Sequence, residues 1–137
     1  MSDAVQPSHA TRVRELFEAD VIAAGLGLEL VAVGAGSVRL RFTVDERHVG
    51  WHGRCHGGVL FTAADVAMSY VSNRGEAQAF ATHASIEFLG GVGIGDVVDI
   101  EGGETARRGR TAVLDAMLSV DGKIVAGFRG TTLEMRG

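Results

Sequence analysis

The sequence predicts an α+β fold in which one long helix is wrapped by a curved antiparallel sheet. Two observations predict it. An apolar run from Gly57 to about Asn73 has the length of a helix and is hydrophobic nearly all round, so other elements must cover it on several sides. Segments in which apolar and polar residues alternate, typical of strands with one buried face, stand before and after this run.

The elements before the long helix follow from turn and capping residues. Ser8 can cap a short N-terminal helix and Gly25 can stop it. Gly34-Ala35-Gly36 has the composition of a hairpin turn between two strands. The expected elements are therefore a helix over about 8–24, strands over 26–33 and 37–44, and a glycine-broken loop over 48–58.

The elements after the long helix are all expected to be strands. Asp121-Gly122 is a strong two-residue turn between the last two of them. The predicted strands cover residues 80–88, 97–106, 111–120 and 123–135. Strands of this length leave sheet edges that need a partner, so we expect an oligomer.

Composition limits the classes of protein to consider. The 137 residues, 46% hydrophobic and 22% charged, suit a single globular domain over 1–137. The net charge of −4 argues against a nucleic-acid partner. A single cysteine, Cys55, excludes an intrachain disulfide and fits a reducing compartment. No apolar run reaches roughly 18 residues and no signal pattern precedes the domain, so we expect a cytoplasmic protein without a membrane partner.

Asp65 is the candidate catalytic residue. It lies among small apolar residues of the long helix, where a carboxylate is costly unless it is paired, solvated by a cleft or used in chemistry. Gly57 begins the helix, so its N–H is free to polarise a carbonyl group. The plain alternatives are an aspartate at the water boundary and a Gly57-Gly58 turn that only starts a helix. Asp65 lies eight residues after Gly57, or about 12 Å along one helix, so antiparallel helices of two chains would be needed to join them.

Two further groups of residues invite a functional interpretation. His48, His52 and His56 recur every four residues, but Gly50 and Gly53 disfavour a helix there and no ligand set is complete, so no metal is expected. Cys55 is expected to be a packing residue and not a nucleophile.

An arginine-rich turn joins two of the predicted strands. Its residues are Arg107, Arg108, Gly109, Arg110 and Thr111. They form either a clamp for phosphate groups or a solvated turn, and the sequence does not decide between the two.

Together these motifs resemble the hotdog-fold acyl-CoA thioesterases of the PaaI-like, phenylacetate-degradation type. The resemblance covers almost the whole chain and is strongest from His52 through the His56-Gly57-Gly58 motif to Asp65. It implies a hotdog fold, a homodimer with two sites as the minimal active unit, and pairing of dimers into a homotetramer. It implies no cofactor, because coenzyme A is part of the substrate.

The resemblance also implies roles for individual residues. Asp65 matches the catalytic carboxylate, and Gly57 matches the residue whose N–H polarises the thioester carbonyl, in a motif that includes His56 and Gly58. Ser69 matches a hydroxyl near the attacking water, and the arginine-rich turn matches the segment that meets the phosphates of coenzyme A. Family members often carry Asn or Gln where this chain has Gly50, so His52 or an ordered water would have to replace that amide.

The expected function is therefore hydrolysis of a small, aromatic acyl-CoA of the phenylacetyl or hydroxyphenylacetyl type. Asp65 would either activate water or attack the carbonyl to give a mixed anhydride, and the sequence does not choose between them. Two alternatives are a hotdog enoyl-CoA hydratase or dehydratase and a non-catalytic acyl-CoA-binding module.

Overall fold

The computed structural model describes residues 4–136 and confirms the α+β architecture. A 16-residue helix, α3 (Gly57–Ser72), packs on one face of a six-stranded antiparallel sheet. The strands are β1 (Glu29–Gly34), β2 (Ser37–Thr43), β3 (Ala79–Phe88), β4 (Val97–Arg108), β5 (Thr111–Val120) and β6 (Lys123–Glu134), in the spatial order β1-β2-β4-β5-β6-β3. The predicted domain ends, residues 1–3 and 137, lie outside the described residues.

The core lies between α3 and the concave face of the sheet. In β5 the inward residues Ala112, Leu114, Ala116 and Leu118 are buried, as the period-two pattern predicts. The helix approaches β4 closely at Gly102, where an added Cβ would lie 3.1 Å from the Cβ of Ala67. Small residues on both sides therefore let the sheet wrap tightly around α3.

The N-terminal helix differs from its prediction. It is two helices, α1 (Pro7–Ala19) and α2 (Val21–Leu26), separated at Asp20, whose backbone is extended and whose side chain accepts from the N–H groups of Ile22 and Ala23. Ser8 is not the cap, because Pro7 already occupies the first helical position. Gly25 does not end the helical segment either, because it lies within α2.

The helical segment ends two residues later than predicted. Gly27 has the left-handed φ of 71° that a terminating glycine adopts. None of the helices within residues 4–136 is long and apolar enough to cross a membrane.

Strand β3 forms one edge of the sheet and is covered far less than β5. It follows the same alternating pattern, yet Phe80 and Phe88 remain 50% and 54% exposed. Within residues 4–136, β3 is hydrogen-bonded to a neighbouring strand, β6, on one of its two sides only. The unpaired side of β3 is thus an open, partly apolar edge.

Candidate active site

The first turn of α3 presents a free backbone donor, as predicted. His56 is the N-cap, and its Nδ1 accepts from the Gly58 N–H at 2.8 Å. The Gly57 N–H has no acceptor among the described residues. A Cβ built on Gly57 would lie 3.0 Å from the ring of Phe88, so glycine leaves the donor close to this ring. The arrangement suits an approaching carbonyl oxygen, which the N–H would polarise.

The loop that precedes α3 is held by its own backbone. Gly50 N–H donates to Arg54 O at 2.9 Å, and Gly53 N–H donates to Gly50 O at 3.0 Å. Gly53 has the left-handed φ of 81°, whereas Gly50 does not have a positive φ. The loop shape therefore does not require glycine at position 50.

The space beside Gly50 is bordered by two imidazole rings. A Cβ at this position would lie 3.4 Å from His56 and 3.5 Å from His52. His52 itself is exposed, and its Nδ1 accepts from the Arg54 N–H at 3.1 Å. The structure thus places His52 where it borders the space that an Asn or Gln side chain would enter.

The hydrogen bonds of the His48 imidazole are made to Asp45 and Leu26 and not to residues of this site. It is buried, its Nδ1 accepts from the Asp45 N–H at 2.9 Å, and its Nε2 lies 2.8 Å from Leu26 O, to which it donates. Within residues 4–136 no three His, Cys, Asp or Glu side chains are grouped to hold a metal ion. Burial raises the pKa of the Cys55 thiol to about 11, which agrees with its interpretation as a packing residue.

Asp65 is half-buried in the middle of α3 and opens onto a small cavity. Burial raises its pKa above the ordinary aspartate value, and its carboxylate has no hydrogen-bond partner among the described residues. The cavity has a volume of about 110 Å³. Its lining residues include no Lys or Arg; they are Asp65, Met68, Ser69, Ser72, Asn73, Ala79, Phe80, Ala81 and Thr132.

Ser69 lies one helical turn after Asp65, as predicted, and is exposed. It also borders a second cleft, of about 680 Å³, which shares Ser69, Asn73 and Ala79 with the Asp65 cavity. The far side of this cleft is polar and includes Arg12, Glu15, Asp20 and Gln78. The carboxylate therefore lies at a narrow cavity that borders a wider polar one.

A single chain does not bring Asp65 and the Gly57 N–H together. Both lie on the straight helix α3, eight residues apart, which separates them by about 12 Å. A catalytic group must reach hydrogen-bond distance of the atoms on which it acts. The described chain therefore holds the two predicted groups at different places.

The arginine-rich turn is the β4–β5 hairpin turn, with Gly109 at a φ of 60°. Its arginines differ in their partners. Arg107 pairs with Glu104 at 2.8 Å and with Glu134, and these carboxylates raise its pKa. Arg110 donates to Glu134 O at 3.1 Å, and Arg108 has no side-chain partner among residues 4–136. The charges of Arg108 and Arg110 are therefore the ones left for an anionic ligand.

Most residues that line these cavities were not named as site residues by the sequence analysis, and three of the missed residues matter most to the site. Phe80 and Asn73 line the Asp65 cavity, and Phe88 contacts the donor glycine. Asn73 could have been found, because an Asn directly after an apolar helical run is typical of a helix end. The alternating pattern places both phenylalanines on a strand but does not say which helix residue each one meets.

Comparison with known proteins identifies the family. Residues 52–125, more than half of the chain, match the family model of the Thioesterase superfamily. The chain belongs to this superfamily, has its hotdog fold, and is a thioester hydrolase.

Similar proteins include a curated bacterial relative and several solved structures. The acyl-coenzyme A thioesterase PaaI of Escherichia coli is 30% identical over 89% of this chain and 88% of its own length. The structure of E. coli PaaI matches with a TM-score of 0.92, covering 98% of each chain. A structure of smu.793 from Streptococcus mutans bound to acetyl CoA, 25% identical, matches with a TM-score of 0.76 and covers 79% of this chain and 88% of its own.

Proposed function

We propose that the protein hydrolyses small aromatic acyl-CoA thioesters, of the phenylacetyl or hydroxyphenylacetyl type, to the acid and free coenzyme A. One observation carries the proposal. The same helix presents a free backbone donor at Gly57 and a half-buried carboxylate at Asp65 beside a cavity, in a chain of the Thioesterase superfamily. The similarity to an acyl-CoA thioesterase over most of both chains supports coenzyme A as the leaving group.

The active unit is a homodimer, in which each site takes its donor from one chain and its carboxylate from the other. Two antiparallel copies of α3 would place Gly57 of one chain beside the partner's Asp65, which the 12 Å spacing along one helix requires. The open edge of β3, with its half-exposed phenylalanines, is the surface for this pairing. Two such dimers form the tetramer that the family resemblance implies.

The chemistry follows from the two groups. The Gly57 N–H donates to the thioester oxygen and stabilises the negative charge that develops on it. The partner's Asp65 either takes a proton from water, whose oxygen then attacks the carbonyl carbon, or attacks that carbon itself to form a mixed anhydride that water hydrolyses. In both routes the C–S bond breaks and the thiolate leaves as coenzyme A. In this mechanism Ser69, one turn from Asp65, holds the attacking water.

The cavity at Asp65 suits the acyl group and not the phosphates, because no cation lines it. Its small volume excludes a long acyl chain, and Phe80 offers an aromatic contact. The polar cleft beyond Ser69 can hydrogen-bond a distal hydroxyl group. These features favour a short acyl group that ends in a substituted ring.

The phosphates of coenzyme A would meet the β4–β5 turn. Arg108 and Arg110 offer guanidinium groups that no carboxylate among residues 4–136 neutralises, and the guanidinium fork suits phosphate oxygens. Arg107 is held by two carboxylates and shapes the turn. No resident cofactor takes part in this reaction.

A panel of acyl-CoA thioesters with a free-thiol readout tests the function. We expect thiol release to be fastest with phenylacetyl-type and hydroxyphenylacetyl-type substrates, slower with acetyl-CoA and slowest with long acyl chains. Loss of the enoyl absorbance without thiol release would instead identify a hydratase. Binding without turnover of any thioester would identify a non-catalytic module and overturn the proposal.

A further inference from the structure

Asn73 stands where α3 ends and its side chain joins the helix to the first residue of β3. The amide nitrogen donates to Ser69 O at 2.9 Å and to Ala79 O at 3.2 Å. The amide oxygen accepts from the Ala79 N–H at 2.8 Å. One planar amide thus links a carbonyl of the last helical turn to both backbone groups of the strand residue.

These bonds lie on the open side of the edge strand. Gln78 O accepts from the Met135 N–H at 2.7 Å, on the side of β6. Because backbone groups of successive strand residues point to opposite sides, Ala79 directs its groups away from β6. Asn73 therefore occupies the place of a neighbouring strand at this point and fixes the distance from β3 to the end of α3.

The same contact lies between the two cavities of the site. Ser69, Asn73 and Ala79 border both the 110 Å³ cavity at Asp65 and the 680 Å³ polar cleft. A shift of Ala79 away from Ser69 would widen the boundary between them. We propose that Asn73 is a positioning residue that sets the width of this passage and thereby determines which acyl groups the enzyme accepts. This inference rests on the proposed function.

Replacing Asn73 by alanine tests the proposal. Asn73→Ala should lower kcat/KM for phenylacetyl-CoA about tenfold, mainly through KM. The reason is that Ala79, no longer held by the amide, would move away and lose contact with the phenyl ring of the substrate. The same variant should change kcat/KM for acetyl-CoA less than twofold, since the acetyl group does not reach the passage. The ratio of the two values is the readout, because a loss of folded protein lowers both equally.

A matched control separates this effect from general destabilisation. Ile100→Val removes one buried methylene from β4, which lies three strands away from β3 in the sheet, and should lower Tm. The substrate ratio of this control should equal that of the wild type.

Asn73→Asp supplies a reversible test. A protonated carboxyl group can accept from the Ala79 N–H and donate to one of the two carbonyl oxygens that the amide contacts, whereas a carboxylate cannot donate to either. The substrate ratio of Asn73→Asp should therefore be close to that of Asn73→Ala at pH 8 and move toward the wild-type ratio as the carboxyl group becomes protonated at lower pH. Titration of Asp65 affects both substrates and cancels in the ratio.

The outcomes are distinct. A folded Asn73→Ala protein with the wild-type ratio would overturn the inference and leave the proposed function intact. If Asn73→Ala does not fold, a ratio for Asn73→Asp that is the same at pH 8 as in the wild type overturns it. A wild-type chain that hydrolyses no acyl-CoA would overturn the proposed function, and the inference with it.

Discussion

The two functional parts of α3 differ in what they offer a substrate. Its first turn offers backbone N–H groups, carries no side chain at Gly57 or Gly58, and is fixed by the His56 cap. The middle of the helix offers a carboxylate whose pKa is raised by burial and which faces a cavity. Neither part completes a hydrolytic site, which explains why the proposed site needs two chains. The following experiments separate the two parts or join them.

The largest effect is expected at the carboxylate. Asp65→Asn should lower kcat by about three orders of magnitude or more, since the general base or nucleophile is lost. The variant should not lose stability, because a raised pKa means that ionised Asp65 destabilises the folded chain at neutral pH. Thiol-release kinetics measure kcat, and thermal unfolding measures the stability of the variant. Near-normal turnover in the folded variant would rule out this role of Asp65.

Mixing two inactive variants tests whether the parts come from different chains. Gly57→Pro removes the donor, and the half-exposed Phe88 ring can shift to admit the proline. After subunit exchange with Asp65→Asn, half of the dimers are mixed and contain one intact site, so roughly a quarter of wild-type activity should return. Exchange is verified with differently tagged chains. If activity does not return after verified exchange, each site lies within one chain.

The pH dependence should report the environment of the carboxylate. Asp65 acts in its ionised form, and burial raises its pKa. As the pH is lowered, kcat/KM should therefore begin to fall at a higher pH than it would for an aspartate with the ordinary pKa of about 3.9. The pH profile of phenylacetyl-CoA hydrolysis measures this. An acid limb at or below the ordinary value would contradict the buried environment of Asp65.

The arginine-rich turn should affect substrate binding and not the chemical step. The double change of Arg108 and Arg110 to alanine should raise KM for acyl-CoA about fivefold to tenfold, an effect that salt weakens. It should matter little for an N-acetylcysteamine thioester, which lacks the phosphates. Arg107→Ala is the matched control, because Arg107 is already paired with Glu104 and Glu134. If the double variant raises KM equally for both thioesters, the turn has a structural role and does not bind the phosphates.

The smallest effect is expected beside the donor. Gly50 does not need a positive φ, so Gly50→Asn can place an amide between the two imidazole rings and should raise kcat about twofold to threefold. His52→Ala should then reduce the activity of the natural chain more than that of the Gly50→Asn variant. If His52→Ala has no effect in either background, His52 takes no part in holding the carbonyl or the water.

The sequence was sufficient for the sheet, the long helix and the free donor at Gly57. Period-two alternation and turn residues are local signals, so β2 and β5 were predicted to within one residue. The break at Asp20 was missed because it depends on a tertiary contact, the hydrogen bond from the Tyr70 hydroxyl at 2.8 Å, as well as on local capping. The positions of Phe80 and Asn73 at the Asp65 cavity were missed for a similar reason, since they depend on how β3 meets α3.

The buried ring of His48 has a consequence for assembly. The ring ties His48 to Leu26 O, and His48 O accepts from the His56 N–H at 2.8 Å. The N-cap of α3 is therefore anchored through a residue whose side chain is buried and hydrogen-bonded. The conformational entropy of the segment before α3 is therefore lost when each chain folds. In the proposed dimer, association has only to align two preorganised halves, and activity should rise with subunit concentration as dimerisation does, without a slower ordering step.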